Sequence, residues 1–497
     1  MAWGSSLLRL TAALIASAAL AAFVFFVATK IQAKGVCCAD DAFIAHVAKN
    51  LARGQGYAAA LQHDSAHWAL QLFDPMISTG APLVLPAAAL VTLFGNAGWV
   101  PGTTVLLVTV LLLLALRFSL ASQLDGTRLD LAAPVFLALC VALTAFHLEH
   151  WYALLGEVPA ALLVVLACML PATRVRTAAA SGLLLGLAFL TKTLAALYAV
   201  VFFVALAAAR PPLAKRPAGR ESRALLVAAV VGCAVPVLAF ELWKLLLLGA
   251  SDYVRSWWRF GAAAGSLAAP GGGHMLATRI AEGSAAFYAR FGFSLFELNA
   301  FNWVAVLVVQ RFTSSRVALS AAALAAGVSL QSIWWLTTSN VWPRYMVMGL
   351  VVTAFLAVLP LVCLPRIRWV AVYAALLAVW SVGLWPRTVA QVRDVDATAR
   401  INLDRTLAFL QNRPEVQPYV AQWWATVADL EYRLPAAANF RGFRSLSEDD
   451  WRRSFLVVVN DAFVFKGDVA FEQLLAQCGP PVYAAPPYRV HRCGGSS

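Results

Sequence analysis

Two adjacent acids, Asp40 and Asp41, stand where a long apolar run ends and an amphipathic stretch begins. After them Ile44, Val47, Ala48 and Leu51 recur at i, i+3, i+4 and i+7, the spacing of one apolar helix stripe. His46, Lys49, Asn50 and Arg53 take the opposite face, and Gly54 suits the helix end. A helix of this pattern lies along a membrane surface. A carboxylate at a helix N-terminus is favoured by the free backbone N–H groups, so one Asp serves as a cap. The second is then left to bind a cation or to take a proton from an acceptor hydroxyl.

Further ionisable groups stand at the ends of apolar runs: Glu149, Glu157 just before Pro159, Lys192 and Arg344. Such groups near membrane depth are costly and often mark a pathway or a site. Helix-flanking, snorkelling and interfacial anchoring are the plainer roles for Glu157, Lys192 and Arg344 respectively. His63 and His67, four apart with Asp64 between, can share a helix face and ligate a metal; no helix is assured in this loop, and a solvated pair is the reading adopted. His147 and His150 read as interfacial or secondary-site groups, and Arg255, Trp257, Trp258 and Arg259 as a membrane-anchoring belt. Cys478 and Cys493 bracket a Pro-rich, hairpin-like stretch and read as a disulfide suited to an oxidising compartment. The adjacent Cys37 and Cys38 bridge each other only with strain, and their state stays open.

The elements that must position these residues follow from composition. Hydrophobic residues are 61% of the 497 and charged residues 13%, against roughly 45–50% and about 25% in soluble chains. A soluble enzyme and a disordered chain are both excluded. Eleven apolar runs are read as membrane spans: 10–30, 103–119, 130–146, 158–171, 177–190, 194–209, 224–243, 294–310, 317–336, 345–364 and 369–385. Ala81 to Phe94 is apolar but short, and reads as a re-entrant or interfacial segment. The net charge of +13 reflects Lys and Arg in short loops rather than a nucleic-acid surface, since no basic face with interleaved aromatics exists.

With a cytoplasmic N-terminus (Arg9), eleven spans put every strongly basic loop on the cytoplasmic side: Arg117 and Arg128, Arg174 and Arg176, Arg210 to Arg223, Arg311 and Arg316, Arg366 and Arg368. Asp40, Asp41, Glu149, Glu157, Lys192 and Arg344 then all emerge on the opposite face. The fold class expected is an all-α polytopic membrane domain over 1–385, with a large outer loop at 31–102. A small extracytoplasmic α/β domain over 386–497 follows. Its pattern is helix 397–410, strand 419–424, helix 426–433, strand 455–459, helix 471–477 and an extended end.

Asp40-Asp41-Ala-Phe-Ile, followed by Ala48-Lys-Asn-Leu-Ala-Arg-Gly-Gln-Gly56, resembles the first outer loop of GT-C glycosyltransferases, among them aminoarabinose transferases, rhizobial galacturonosyltransferases and protein mannosyltransferases. Phe73-Asp-Pro-Met-Ile-Ser-Thr-Gly-Ala-Pro-Leu-Val-Leu-Pro86 is similar to the Pro-rich end of that loop, except that Thr79-Gly80 stands where some relatives carry Glu-Lys. Gly156-Glu157-Val-Pro-Ala160, Leu190-Thr-Lys-Thr193 and Pro343-Arg344-Tyr345 resemble the second-loop acidic, lysine and late-span motifs. The resemblance implies a multi-pass enzyme of the inner (plasma) membrane. It would move a sugar from a polyprenyl-phosphate carrier to an extracytoplasmic glycan, lipid or protein acceptor. Asp41 or Asp40 is then the catalytic base, Arg344 and Lys192 hold the leaving phosphate, and Glu157, Tyr345 and His46 line the substrate site. No cofactor is assigned; a divalent cation at Asp40 and Asp41 stays open. The alternatives are a transporter or lipid-linked sugar flippase, which would need a site near the bilayer midplane, and a polysaccharide polymerase.

Overall fold

The computed structural model describes residues 2–64, 67–74, 77–208, 218–268, 276–339, 341–413, 416, 419–423, 426–434 and 440–495. Each expected apolar run forms a helix. α1 (Ala2–Lys34) leads into α2 (Ala39–Ala52), a hairpin of β1 (Ala58–Asp64) and β2 (His67–Leu72), and α3 (Ala81–Phe94). The bundle continues with α4 (Val100–Ala121), α5 (Gly126–Leu143), α6 (Glu157–Met169), α7 (Val175–Thr191) and α8 (Ala195–Ala208). It is completed by α9 (Ala218–Ala268), α10 (Leu276–Phe291), α11 (Leu295–Phe312), α12 (Ser315–Thr337), α13 (Val347–Cys363) and α14 (Ile367–Ser381).

Among the described residues seven helices are long and apolar enough to cross a membrane, or eight if the bent pair α10–α11 is one span. α6, α7 and α8 have 13, 17 and 14 residues, short of the roughly 20 that a full crossing takes. α6 is instead enclosed by protein, with every residue buried. α13 is the other central helix: nearly its whole length is buried against α5, α6, α11 and α12, as a helix apolar on all sides requires.

Two stretches read as loops carry more structure. Within 31–102 the β1–β2 hairpin pairs Ala58 with Leu72 and Asp64 with His67. His63 and His67 therefore lie on two strands rather than on one helix face. Within 244–293, α9 resumes after a left-handed break at Gly249 (φ +71°) and carries Trp257 and Trp258 exposed on its surface.

After α15 (Trp385–Arg393) and α16 (Thr398–Gln411) comes a five-stranded sheet. Its elements are β3 (Tyr419–Ala421), α17 (Ala428–Arg433), β4 (Phe440–Gly442), α18 (Glu448–Arg452), β5 (Phe455–Asn460), α19 (Val469–Cys478), β6 (Tyr483–Ala485) and β7 (Tyr488–Cys493). The strand order is β4-β3-β5-β7-β6, with β3 parallel to both neighbours and β7 antiparallel to β5 and β6. β5 reads Phe-Leu-Val-Val-Val-Asn and is buried throughout, because both faces are covered. Phe455, Val457 and Val459 pack with Phe471 and Leu474 of α19, while Leu456 and Val458 pack with Leu403, Leu407 and Leu430. Cys478 and Cys493 are joined by a disulfide that ties the end of α19 to the end of β7, with Cα atoms 4.4 Å apart.

The sheet domain is fastened to the bundle through α2 and α17. Lys49 Nζ donates to the carbonyls of Glu431 (2.5 Å) and Leu434 (2.7 Å). Asn96 Nδ2 donates to the carbonyls of Tyr432 and Arg433, each at 2.7 Å. Lys34 pairs with Asp394 at 3.0 Å.

Candidate functional site

The two acids of the first-loop motif are separated in role by the start of α2. Cys38 is the N-cap and its side chain makes no capping bond, so Asp40 and Asp41 both lie inside the first turn. Asp41 points inward and is fully buried. Its Oδ2 accepts from the Cys37 N–H at 3.0 Å, and its Oδ1 accepts from the Leu154 N–H at 2.7 Å. One carboxylate thus stitches the start of α2 to the segment before α6. Burial pushes the Asp41 carboxyl up to about 6; the two backbone N–H groups oppose the rise and the Asp40 charge adds to it.

Asp40 faces outward, with its side chain 42% exposed, and is ion-paired to Arg344. Arg344 is held from below by aromatic rings: its guanidinium lies 4.5 Å from the Trp342 ring centre and 5.5 Å from that of Tyr345. Those two rings stack at 6.0 Å. The first-loop acid and the late-span Arg-Tyr pair therefore meet, at an accessible place.

Glu157 and Lys192 also meet, behind a closed wall. Lys192 Nζ lies 2.9 Å from Glu157 Oε1 and donates to the Leu155 carbonyl at 2.8 Å. Glu157 Oε2 bonds His150 Nδ1 at 2.9 Å. Glu157 is 1% exposed and Lys192 7%. An ion pair withdrawn from water this far needs every partner it has, so Lys192 is committed to Glu157.

Backbone approach explains why these loops fit together. Gly156 adopts φ +86°, which admits a glycine readily, and turns the chain into α6 with Glu157 at its first position. At Gly80 a Cβ would fall 1.7 Å from the Leu190 carbonyl oxygen. Thr79 Oγ1 beside it donates to the Leu155 carbonyl at 3.0 Å. Thr79-Gly80 therefore serves as a close-packed seam between the stretch before α3, the approach to α6 and the end of α7.

His46 falls elsewhere. It is buried between α2 and α17, with Nε2 3.7 Å from Glu431 Oε1. Burial, with Lys49 and Arg53 nearby, lowers its pKa to about 3, so the ring is neutral at pH 7. Burial raises the Glu431 carboxyl and lowers the Lys49 ammonium. His46 belongs to the joint with the sheet domain, apart from Asp40 and Arg344.

One arrangement has no counterpart in the motifs singled out as substrate-binding. In the turn Ala145–Trp151, a ligand atom from each of His147, Glu149 and His150 lies within 4.8 Å of the other two. The His-x-Glu-His spacing of 147–150 is the signal that points to it. Among the described residues Asp40 and Asp41 belong to no such group; the first pairs with Arg344 and the second accepts from two backbone N–H groups.

The helical bundle, the long stretch between α1 and α4 and the terminal sheet together make an arrangement shared with solved structures. No family model and no curated protein matches the sequence. Among solved structures the chain is similar to ArnT from Cupriavidus metallidurans bound to undecaprenyl phosphate, at 13% identity and a TM-score of 0.56, over 99% of this chain and 98% of that one. It is similar to the same protein in the apo state at 13% identity and a TM-score of 0.55, with the same coverage.

Proposed function

We propose that this chain is an integral-membrane glycosyltransferase that takes a sugar from a polyprenyl-phosphate carrier and passes it to an acceptor hydroxyl outside the cytoplasm. The observation that carries the reading is the exposed Asp40–Arg344 pair, built from a first-loop acid and a distant cation on an aromatic bed. The shared fold with a protein solved with undecaprenyl phosphate bound supports the same class of donor.

The chemistry assigns one role to each partner. A donor phosphate competes with Asp40 for Arg344, since Arg binds phosphate in the same forked geometry as carboxylate. Asp40, released, accepts the proton of the acceptor hydroxyl. The hydroxyl oxygen forms a bond to the anomeric carbon as the bond from that carbon to the phosphate oxygen breaks. Polyprenyl phosphate leaves with the electron pair, and Arg344 stabilises the growing negative charge. Asp41 and the Glu157–Lys192 pair act as positioning groups behind this face. Tyr345 supports Arg344 rather than the sugar.

The test is transfer from a lipid-linked donor by membranes carrying Asp40→Asn or Arg344→Gln. Asn retains the shape of the acid and loses the base, so transfer should drop by roughly 10²–10⁴ at unchanged protein abundance. Parental rates in both variants would refute the assignment.

A further inference from the structure

We propose that a cavity at the end of the bundle opposite Asp40 and Arg344 binds an anionic glycerophospholipid, with an acyl chain inside it and the phosphodiester on Arg117. The inference is independent of the activity proposed above. The cavity has a volume of about 290 Å³, and its walls come from residues within 13–20 of α1, 113–120 of α4, 129–137 of α5 and 355–362 of α13. α1 and α4 touch near their other ends, where a Cβ on Gly102 would fall 2.7 Å from Ile31 Cγ1. They diverge from there, and the cavity occupies the gap between them. Residues 13–20 lie in the first half of α1, which Asp40 follows, and residues 355–362 in the second half of α13, which Arg344 precedes. From Arg344 to Val358 is roughly 20 Å at a helix rise of about 1.5 Å per residue, so this is a place apart from the Asp40–Arg344 pair.

The wall selects an acyl chain. Among the described residues that line it, Ser17, Arg117 and Asp130 are the polar ones and the rest are apolar. Leu116, Leu137, Phe355 and Val358 are buried, whereas Phe118 is 67% exposed on the lip. All four helices are long and apolar enough to cross a membrane, so the lip meets lipid rather than water. An apolar void forfeits the dispersion contacts of its wall, and an acyl chain entering from the side restores them.

Charge selects the head. Asp130, its side chain 7% exposed, accepts from Arg117 Nε at 2.8 Å and from Nη2 at 3.0 Å. This fork fixes the guanidinium plane. Nη1 has no hydrogen-bond partner among the described residues, and the Arg117 side chain is 41% exposed. A phosphodiester oxygen takes that donor in a charge-assisted bond. Arg9 stands on the same face of α1, one turn before Ala13, and Arg366 and Arg368 follow α13; all three are exposed. With Arg117 and Arg128 they outnumber Asp125 and Asp130 on the same helix ends. Basic pockets between spanning helices hold anionic headgroups in this way.

The full-length protein is purified in detergent, delipidated, and titrated with phosphatidylglycerol or with phosphatidylcholine of identical acyl chains. Bound lipid per chain is read by native mass spectrometry. Phosphatidylglycerol should saturate at a single molecule per chain and bind at least about fivefold more tightly than phosphatidylcholine. Ala16→Phe fills the cavity, and Arg117→Lys keeps a charge beside Asp130 but loses the fork and its free Nη1. Each should weaken phosphatidylglycerol at least about fivefold, with the lipid-free melting temperature reporting whether the fold is intact. Arg9→Gln touches no ion pair and should lower the preference for phosphatidylglycerol even if both other variants misfold. Arg344→Gln should bind phosphatidylglycerol like the parent, since that cation lies at the other end. Equal binding of the two lipids, binding that does not saturate, parental binding in the Ala16, Arg117 and Arg9 variants alike, or loss of binding with Arg344→Gln would each overturn the site.

Discussion

At the scale of single residues, the two adjacent acids differ because a helix turn sends one carboxylate out and one in. Asp40 meets Arg344 at the surface, whereas Asp41 holds the N–H groups of Cys37 and Leu154. Asp41→Asn should therefore act on stability more than on chemistry. An amide offers one acceptor oxygen where the acid offered two, and one buried N–H left alone costs about 1–3 kcal/mol. The pH dependence has a definite sign. Burial raises Asp41 in the fold to about 6 from an ordinary 3.8. The folded state thus holds this proton more tightly than the unfolded chain. That stabilisation is complete below pH 3.8, and is lost as the pH rises through about 6. The parent should gain melting temperature relative to Asp41→Asn on going from about pH 7.5 to about pH 4.5; a difference that does not change with pH would remove Asp41 from this role.

At the scale of elements, the close approach of Gly80 to α7 makes a sharp prediction. Gly80→Ala would place a methyl group 1.7 Å from the Leu190 carbonyl oxygen, and backbone cannot yield as a side chain does. Overpacking of this kind costs about 1–3 kcal/mol or more, so the variant should melt lower and turn over more slowly than the parent. A parental melting temperature would show that the seam is loose. This seam also marks the limit of what the sequence makes legible. The apolar runs were readable because a membrane demands continuous hydrophobicity, and β5 because Phe455 to Val459 is a dense β-branched and aromatic run. The hairpin at 58–72 was not, since Ala58-Ala-Ala is a poor strand signal. β4, three residues long, gives too short a pattern to detect. Glu157, Lys192 and Arg344 could be named singly from their places at the ends of runs. That Glu157 meets Lys192 and Arg344 meets Asp40 depends on how separate loops fold over one another. The resemblance puts His46 at the substrate, yet its neighbour is Glu431 of α17; the helix at 426–433 is legible, but its docking on α2 joins distant parts of the chain and no local pattern reveals it.

At the scale of the whole molecule, the arrangement is a helical bundle with its accessible Asp40–Arg344 pair at one end and a helix-covered sheet fastened beside α2. The loop-by-loop distribution of Lys and Arg is the ground on which we propose that this end lies outside the cytoplasm. A reporter that works only outside the cytoplasm, fused after Ser497, should therefore be active; activity of a cytoplasm-only reporter at that position would reverse the orientation. The central claim is that the chain consumes a sugar carried on polyprenyl phosphate, with Asp40 in the reacting face. The most direct measurement is the lipid content of a strain lacking this protein, read by mass spectrometry. A polyprenyl-phosphate-linked sugar should accumulate, disappear when the parental protein is restored, and persist when Asp40→Asn is supplied at equal abundance. No accumulating lipid-linked sugar, or its full clearance by Asp40→Asn, would contradict the account.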